Sequence, residues 1–350
     1  MEAFVSGLGW KRFRAGQILS WIYQKRAVGF DEMTDLSKPD RTLLQDRAII
    51  SRLHTLTVQR SSDGTEKYLF ELPDKNRIES VLIPDAREMG ERERLTLCLS
   101  TQAGCTLDCR FCLTGRERLK RNLKPHEIVD QVLEVQRAIG PDCRLTNLVM
   151  MGMGEPLANL NHLFEALRRL TDPDAVGFSP RRITVSTAGL APQIRKLGEF
   201  PIQVNLAVSL NATTDGVRDH LMPINKRYPL KPLLQACREY PLPPRRRITF
   251  EYVLLAGVND TEEDAIRLAR LTRGMRCKIN LIPFNEFPES EFKRPSDEAA
   301  LRFQAILQKA DLIATIRKSK GRDILAACGQ LTGITLSSQA APPAVMASWR

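Results

Sequence analysis

The sequence predicts an α/β fold in which six βα units in series form a parallel sheet curled into a partial or full barrel. Three observations lead there. From residue 95 onward, short apolar runs alternate with longer stretches of helical periodicity. The runs are bounded by Gly, Pro and Asn, and the polar and glycine-rich segments follow the runs rather than precede them. A doubly wound open sheet satisfies the same pattern; in either architecture the functional face is the carboxyl end of the strands.

Residues 1–55 form a small, basic helical domain, in which Ile18, Leu19, Trp21 and Ile22 make an apolar stripe flanked by Lys and Arg. Residues 56–94 are a linker and a β-hairpin extension: "KYLFEL" (67–72) and "RIESVLI" (77–83) alternate around "PDKN", and "PDAREMGERER" then reads as a charged loop. The core spans 95–336. Its strands are "LTLCLS" (95–100), "LTNLVMM" (145–151), "RITVST" (182–187), "IQVNLAVSL" (202–210), "RITFEYVLL" (247–255) and "KINLIPF" (278–284). Amphipathic helices such as "PHEIVDQVLEVQRAI" and "TEEDAIRLARLT" separate them, the latter opening on a Thr-x-x-Asp capping pattern. Another strand-like run, "LIATIRK", precedes "GRDILAACGQL", and the tail 337–350, rich in Ala, Pro and Ser, is expected to be poorly ordered.

With 43% hydrophobic and 27% charged residues, the chain has the composition of a folded globular protein. No apolar run approaches membrane-spanning length and the opening lacks a signal-peptide core, so the expectation is a cytoplasmic protein with no membrane partner. Eight cysteines in 350 residues are too sparse for a secreted disulfide scaffold; clustered cysteines in a reducing compartment bind metal or do chemistry. The net charge of +11, bunched in "RERLKRNLK", "PRRR", "RKSKGR" and the N-terminal domain, suits either a solvated surface or a polyanion.

The chemistry starts at "GCTLDCRFC", where Cys105, Cys109 and Cys112 stand at C-x3-C-x2-C spacing. A zinc site would need a fourth ligand from His54, His126, His162, His220 or another cysteine, none of them close in sequence. A [4Fe–4S] cluster with three thiolates instead leaves one iron open for a non-protein ligand. That loop, with Phe111 before its third cysteine and βα units around it, resembles the radical S-adenosylmethionine superfamily. The resemblance implies a [4Fe–4S] cluster on Cys105, Cys109 and Cys112, with S-adenosylmethionine completing it. "GMGEP" after the second strand brings Gly154 and Glu155 to the methionyl ammonium. Ser186, Ser209, Asn211 and Asn285, at three other strand ends, supply hydroxyl and amide groups for the carboxylate, ribose and adenine; Leu210 lies between two of them. Taken alone, a Gly-rich turn or a strand-end Asn is ordinary turn chemistry.

Longer motifs narrow the family. "CLSTQAGCTLDCRFC", "MGMGEPLANL", "STAGLAP", "MPINKRYPL", "IPFN" and "GRDILAACGQL", with "FRAGQILSWIYQ" and "FDEMTDLSK" near the N-terminus, resemble the RlmN family of RNA methyltransferases over nearly the whole chain. The resemblance implies methylation of adenine C2 in 23S rRNA and in tRNA, two S-adenosylmethionine molecules consumed per methyl group, a flavodoxin-type or other one-electron reductant, and a single chain sufficient for activity. It assigns Cys328 as the methyl carrier, Cys98 as its disulfide partner and Glu79 as the base that removes the C2 proton. By their surroundings alone, Glu79 would read as a solvent-facing strand residue, and Cys143, Cys237 and Cys277 as small buried hydrophobes. Asn211 departs from the family, many of whose members carry His there. A related enzyme type that methylates adenine C8 shares these residues, and a zinc-stabilised RNA-binding protein is the non-enzymatic alternative.

Overall fold

A computed structural model of the chain describes residues 1–85 and 94–333. The charged loop (84–94) lies largely, and the 337–350 tail wholly, outside those residues.

The N-terminal residues form α1 (Glu2–Gly7), α2 (Phe13–Leu19), a π-helical turn at Ser20–Gln24 and α3 (Lys38–Arg47). Their apolar stripe closes on itself, with Val5, Ala15, Ile18, Phe30, Met33, Leu36 and Leu44 making a small core separate from the main one. Ser37 caps α3 by accepting from Asp40 N at 3.2 Å, and Pro39 in the first turn has no amide proton to leave unsatisfied.

The strands are β1 (His54–Arg60), β2 (Glu66–Glu71), β3 (Arg77–Asp85), β4 (Arg94–Cys98), the two-residue pair β5 (Gln102–Ala103) and β6 (Arg121–Asn122), β7 (Asn147–Met150), β8 (Ile183–Thr187), β9 (Asn205–Ser209), β10 (Ile248–Leu254), β11 (Cys277–Pro283) and β12 (Ala314–Ile316). Among the described residues, ten of them make one sheet in the order β1-β2-β3-β4-β7-β8-β9-β10-β11-β12. The pairs from β4 to β12 are all parallel, whereas β1, β2, β3 and β4 pair antiparallel. A doubly wound sheet reverses its strand order at a switch point. Here the order runs straight through in sequence, as in a barrel wall, and β1 and β12 remain as separate edges.

Between the parallel strands lie α4 (Leu113–Arg116), α5 (Pro125–Ala138), α6 (Leu160–Thr171), α7 (Ala191–Glu199), α8 (Asp215–Leu221), α9 (Leu230–Glu239), α10 (Glu262–Thr272) and α11 (Asp297–Lys309). Local chemistry sets their starts. Thr261 accepts from Asp264 N at 3.1 Å and so begins α10 where the Thr-x-x-Asp pattern placed it. At α5, Glu127 accepts from Lys124 N at 2.8 Å and from both Arg121 nitrogens at 2.7 and 2.8 Å, which ties the helix to β6.

Two elements extend the sequence reading. The hairpin is a three-stranded antiparallel extension, because β1 pairs with β2 from Arg60↔Glu66 to His54↔Glu71. Every residue of β1 is exposed or half-buried, so "HTLTVQR" carries no apolar run to announce it. The run "LIATIRK" becomes β12, a seventh parallel strand. Among the described residues no helix is long and apolar enough to cross a membrane.

Candidate active site

The loops at the carboxyl ends of the parallel strands enclose one cavity. Cys105, Cys109 and Cys112 line it from the β4 side, Gly154 and Glu155 from β7, Ser186 from β8, Ser209 and Asn211 from β9, Asn285 from β11, and Cys328 from the final segment. A smaller adjoining cavity has Cys98 and Cys328 in its wall, together with Cys112, Asn285 and Arg317. Cys328 therefore faces both.

The cysteine loop is held tightly. Cys112 N donates to Cys109 O at 3.0 Å, Leu107 N to Cys105 Sγ at 3.3 Å, and Leu113 N to Gly329 O at 2.7 Å. Burial pushes the Cys105 thiol up to about 12, and burial with the neighbouring thiols raises Cys109 and Cys112. Burial keeps these three thiols protonated as free side chains, and binding to a cationic metal centre is what releases their protons. A tetrahedral zinc ion needs its donors converging on one point. None of the four histidines lines the cavity. Three cysteines from one loop lining one cavity suit a multi-iron cluster, in which each thiolate binds a different iron.

On the neighbouring loop after β7, Gly154 sits at φ +96°, and a Cβ there would come within 2.5 Å of Gln102 Cβ, so only glycine lets the backbone line the cavity at this point. Glu155 is anchored through both oxygens, accepting from Leu157 N at 3.0 Å and Ala188 N at 2.7 Å, while burial lifts its carboxyl to about 7. Asn285 donates through Nδ2 to Cys328 O at 3.2 Å; its Oδ1 is buried with no partner, an acceptor left for a ligand N–H. These groups fit S-adenosylmethionine: a carboxylate for an ammonium, backbone for close approach, and an amide oxygen for a donor such as the adenine amine. Asn211 adopts φ +57° and accepts from Val253 N at 2.8 Å, so its amide locks β9 to β10 while standing in the cavity wall.

Two expected residues lie elsewhere. Leu210 is buried outside the cavity wall, and its carbonyl accepts from Arg218 Nε at 3.0 Å. Arg218, wholly buried, also donates to Ala188 O at 2.6 Å and Ser209 O at 3.2 Å, and so fastens the ends of β8 and β9. Glu79 lines neither of these cavities, and it is not solvent-facing: it is 2% exposed. Its Oε1 lies 3.1 Å from Lys67 Nζ and its Oε2 accepts from Thr332 N at 2.9 Å.

The segment that carries Cys328 has a backbone of its own kind. Residues 321, 325, 329 and 333 all have positive φ, three of them Gly and one Leu325, so the chain turns at every fourth residue. It is held from the side: Gly321 N donates to Asp63 Oδ2 at 2.9 Å, Ser61 Oγ to Asp323 Oδ1 at 2.6 Å, Thr114 Oγ1 to Leu331 O at 2.6 Å and Gln330 Nε2 to Glu286 O at 2.8 Å. Sequence reasoning missed Glu251, Arg317 and Lys67. Glu251 and Arg317 share the main cavity wall, and Lys67 is 8% exposed under the Cys328 segment. The available signal was a charge inside an apolar run, "TFEYVL", "LIATIRK" and "KYLFEL".

A parallel strand series with a three-cysteine cavity at its carboxyl face defines a radical SAM enzyme, and the family model described as the Radical SAM superfamily matches residues 99–269. A second, the ribosomal RNA large subunit methyltransferase N-terminal domain, matches residues 1–50. The chain is 51% identical over 339 residues to the dual-specificity RNA methyltransferase RlmN of Syntrophus aciditrophicus, covering 97% of this chain and 95% of that one. It is 54% identical over 333 residues to the protein of the same name from Geobacter sulfurreducens, at 95% and 89% coverage. The crystal structure of a radical SAM methyltransferase from Sphaerobacter thermophilus superposes with a TM-score of 0.89 at 45% identity, over 95% of this chain and 96% of that one. This chain belongs to the RlmN family of radical SAM RNA methyltransferases.

Proposed function

We propose that this enzyme methylates C2 of an adenine in 23S rRNA, at the peptidyl transferase centre, and of the adenine 3′ to the anticodon in tRNAs, with Cys328 as methyl carrier and a Cys98–Cys328 disulfide as the means of release. The observation that carries the reading is the place of Cys328, in the wall shared by the three-cysteine cavity and the cavity that holds Cys98.

Adenine C2 is electron-poor and cannot displace a methyl group from a sulfonium, so the methyl must arrive by another route. When bound, the [4Fe–4S] cluster and S-adenosylmethionine supply the methyl donor, the one-electron chemistry that removes a hydrogen atom from the carried methyl, and the electron balance of its coupling to C2. Cys105, Cys109 and Cys112 hold the cluster; Gly154, Glu155, Ser186, Ser209, Asn211 and Asn285 form the surroundings of S-adenosylmethionine, with Leu210 packed behind them. Cys328 takes the methyl as a thiolate, forming its S–C bond as the sulfonium S–C bond breaks. After the carried carbon bonds to C2, Glu79 accepts the C2 proton. Cys98 then attacks the Cys328 sulfur: the S–S bond forms, the S–C bond breaks, and the carbon keeps the electron pair and takes a proton as the new methyl group.

The partners follow from this chemistry. RNA supplies the base, turned out of its stack into the cavity mouth, while the basic N-terminal helices bind backbone phosphate. A flavodoxin-type or other one-electron reductant feeds the cluster, and one chain suffices in the cytoplasm.

An anaerobic assay with reconstituted cluster, methyl-labelled S-adenosylmethionine and both RNAs tests the reading. Expected are about four irons per chain, label in both RNAs, and mass spectrometry placing it at adenine C2. Label at C8 assigns the related C8 chemistry instead; a colourless, air-stable protein that binds RNA and transfers no label returns the zinc alternative.

A further inference from the structure

Lys67 and Glu79 make a buried ion pair with an unusual pattern of ties. Lys67 comes from β2 and Glu79 from β3, diagonal neighbours across an antiparallel pair in which Lys67 faces Val81 and Leu69 faces Glu79. Their side chains are 9% and 3% exposed, with Nζ and Oε1 3.1 Å apart. Lys67 Nζ also donates to Leu325 O at 3.3 Å, three residues before Cys328, and Thr332 N, four residues after it, donates to Glu79 Oε2 at 2.9 Å. The pair thus holds the carrier segment on both sides of its cysteine. The backbone of Glu79 is equally fixed, since its carbonyl accepts from Ser100 Oγ at 2.6 Å.

A buried ion pair is a poor device for stability alone, because desolvating both charges costs about as much as their attraction returns, and apolar residues of the same size commonly do as well. Its worth is geometric. Each partner here has one bond to the other and one bond to the segment bearing Cys328, so displacing either shifts the carboxylate and the sulfur relative to each other.

We propose that Lys67 is a positioning residue of the methyl transfer to RNA: it fixes the Glu79 carboxylate relative to the Cys328 segment, so that proton acceptor and methyl carrier meet the same carbon of the base. The proposal rests on the reading of Glu79 as that acceptor. Loading a methyl group on Cys328 involves no proton from RNA, so the two steps separate experimentally.

The test uses the full-length reconstituted enzyme under single turnover, with RNA deuterated at adenine C2, and two readouts: methyl on the Cys328 peptide and deuterium lost from the RNA, both by mass spectrometry. Lys67→Met is expected to load methyl within about twofold of the unaltered enzyme and to lose deuterium at least tenfold more slowly, matching Glu79→Gln; Lys67→Arg restores most of the rate. If Glu79→Gln loses deuterium at the unaltered rate, the acceptor reading fails. If Glu79→Gln is slow but Lys67→Met is not, the acceptor stands and the role of Lys67 is overturned. Equal loss of methyl loading and deuterium release in Lys67→Met reduces Lys67 to a structural residue and also overturns it. Lys67→Gln, which keeps a donor without the charge, runs the same comparison should the methionine variant not fold.

Discussion

Cys98 is buried at the end of β4, and burial, reinforced by the nearby Cys328 and opposed by Arg317, pushes its thiol up to about 12. Only the thiolate attacks a neighbouring sulfur, and well below that value its fraction rises about tenfold per pH unit. Resolution of the protein–RNA adduct should therefore accelerate about tenfold per unit between pH 7 and 9, read by quenching the reaction and separating adduct from free RNA on a denaturing gel. A flat profile would show that Cys98 does not carry that step. In the same assay Cys98→Ala should accumulate adduct, whereas Cys328→Ala should give neither adduct nor methylated RNA. At this scale legibility varied with how local the signal was. The C-x3-C-x2-C spacing is complete within eight residues. Glu79, by contrast, reads as an outward strand position because its partners Lys67 and Thr332 come from another strand and from the far end of the chain.

Elements were legible where burial shaped them. The six core strands fall within a few residues of their expected ends because each buries at least one face, which leaves a short apolar pattern in the sequence. The first strand of the extension escaped because neither of its faces is fully covered. The β7–α6 turn carries a prediction of its own. Gly154→Ala puts a Cβ at φ +96° and within 2.5 Å of Gln102, and should cost about 1–3 kcal/mol in strain while shifting Glu155. Equilibrium dialysis should show at least a tenfold loss of S-adenosylmethionine affinity. Gly140→Ala supplies the control: its φ is +81° but nothing lies within 4 Å, so it should lose stability and keep affinity. Equal affinity loss in both would make the Gly154 effect one of stability rather than of cavity shape.

At the scale of the molecule, the N-terminal helices dock on α5. Arg52 pairs with Glu134 at 3.0 Å, Arg26 Nη1 donates to Gln136 O at 3.2 Å, and Arg137 Nε returns a bond to Arg26 O at 3.0 Å. Asp130 lies on the same helix near Ser51, and burial, with Glu134 adding to it, raises its carboxyl to about 7 against an opposing Ser51 hydrogen bond. A carboxyl raised on folding favours the protonated form, so its contribution is present below its ordinary value near 4 and is lost as pH climbs to 7. Asp130→Asn should remove that loss: its unfolding free energy, from denaturant titration, should exceed the unaltered protein's at pH 8 by an amount on the order of 2–4 kcal/mol, and match it at pH 4. A difference independent of pH would place the cause outside ionisation. The docking itself was not legible, since it joins residues about a hundred positions apart through single side chains. The four positive-φ residues spaced along 321–333 have a last consequence. A chain that turns so often cannot build a ladder of its own, so the location of the reacting sulfur is inherited from moorings on β2, β3, α4 and the loop after β11. Placement accuracy at Cys328 is a collective tolerance of those distant attachments: the others damp the loss of one, and only a combined drift would misplace the sulfur while leaving every reacting group intact.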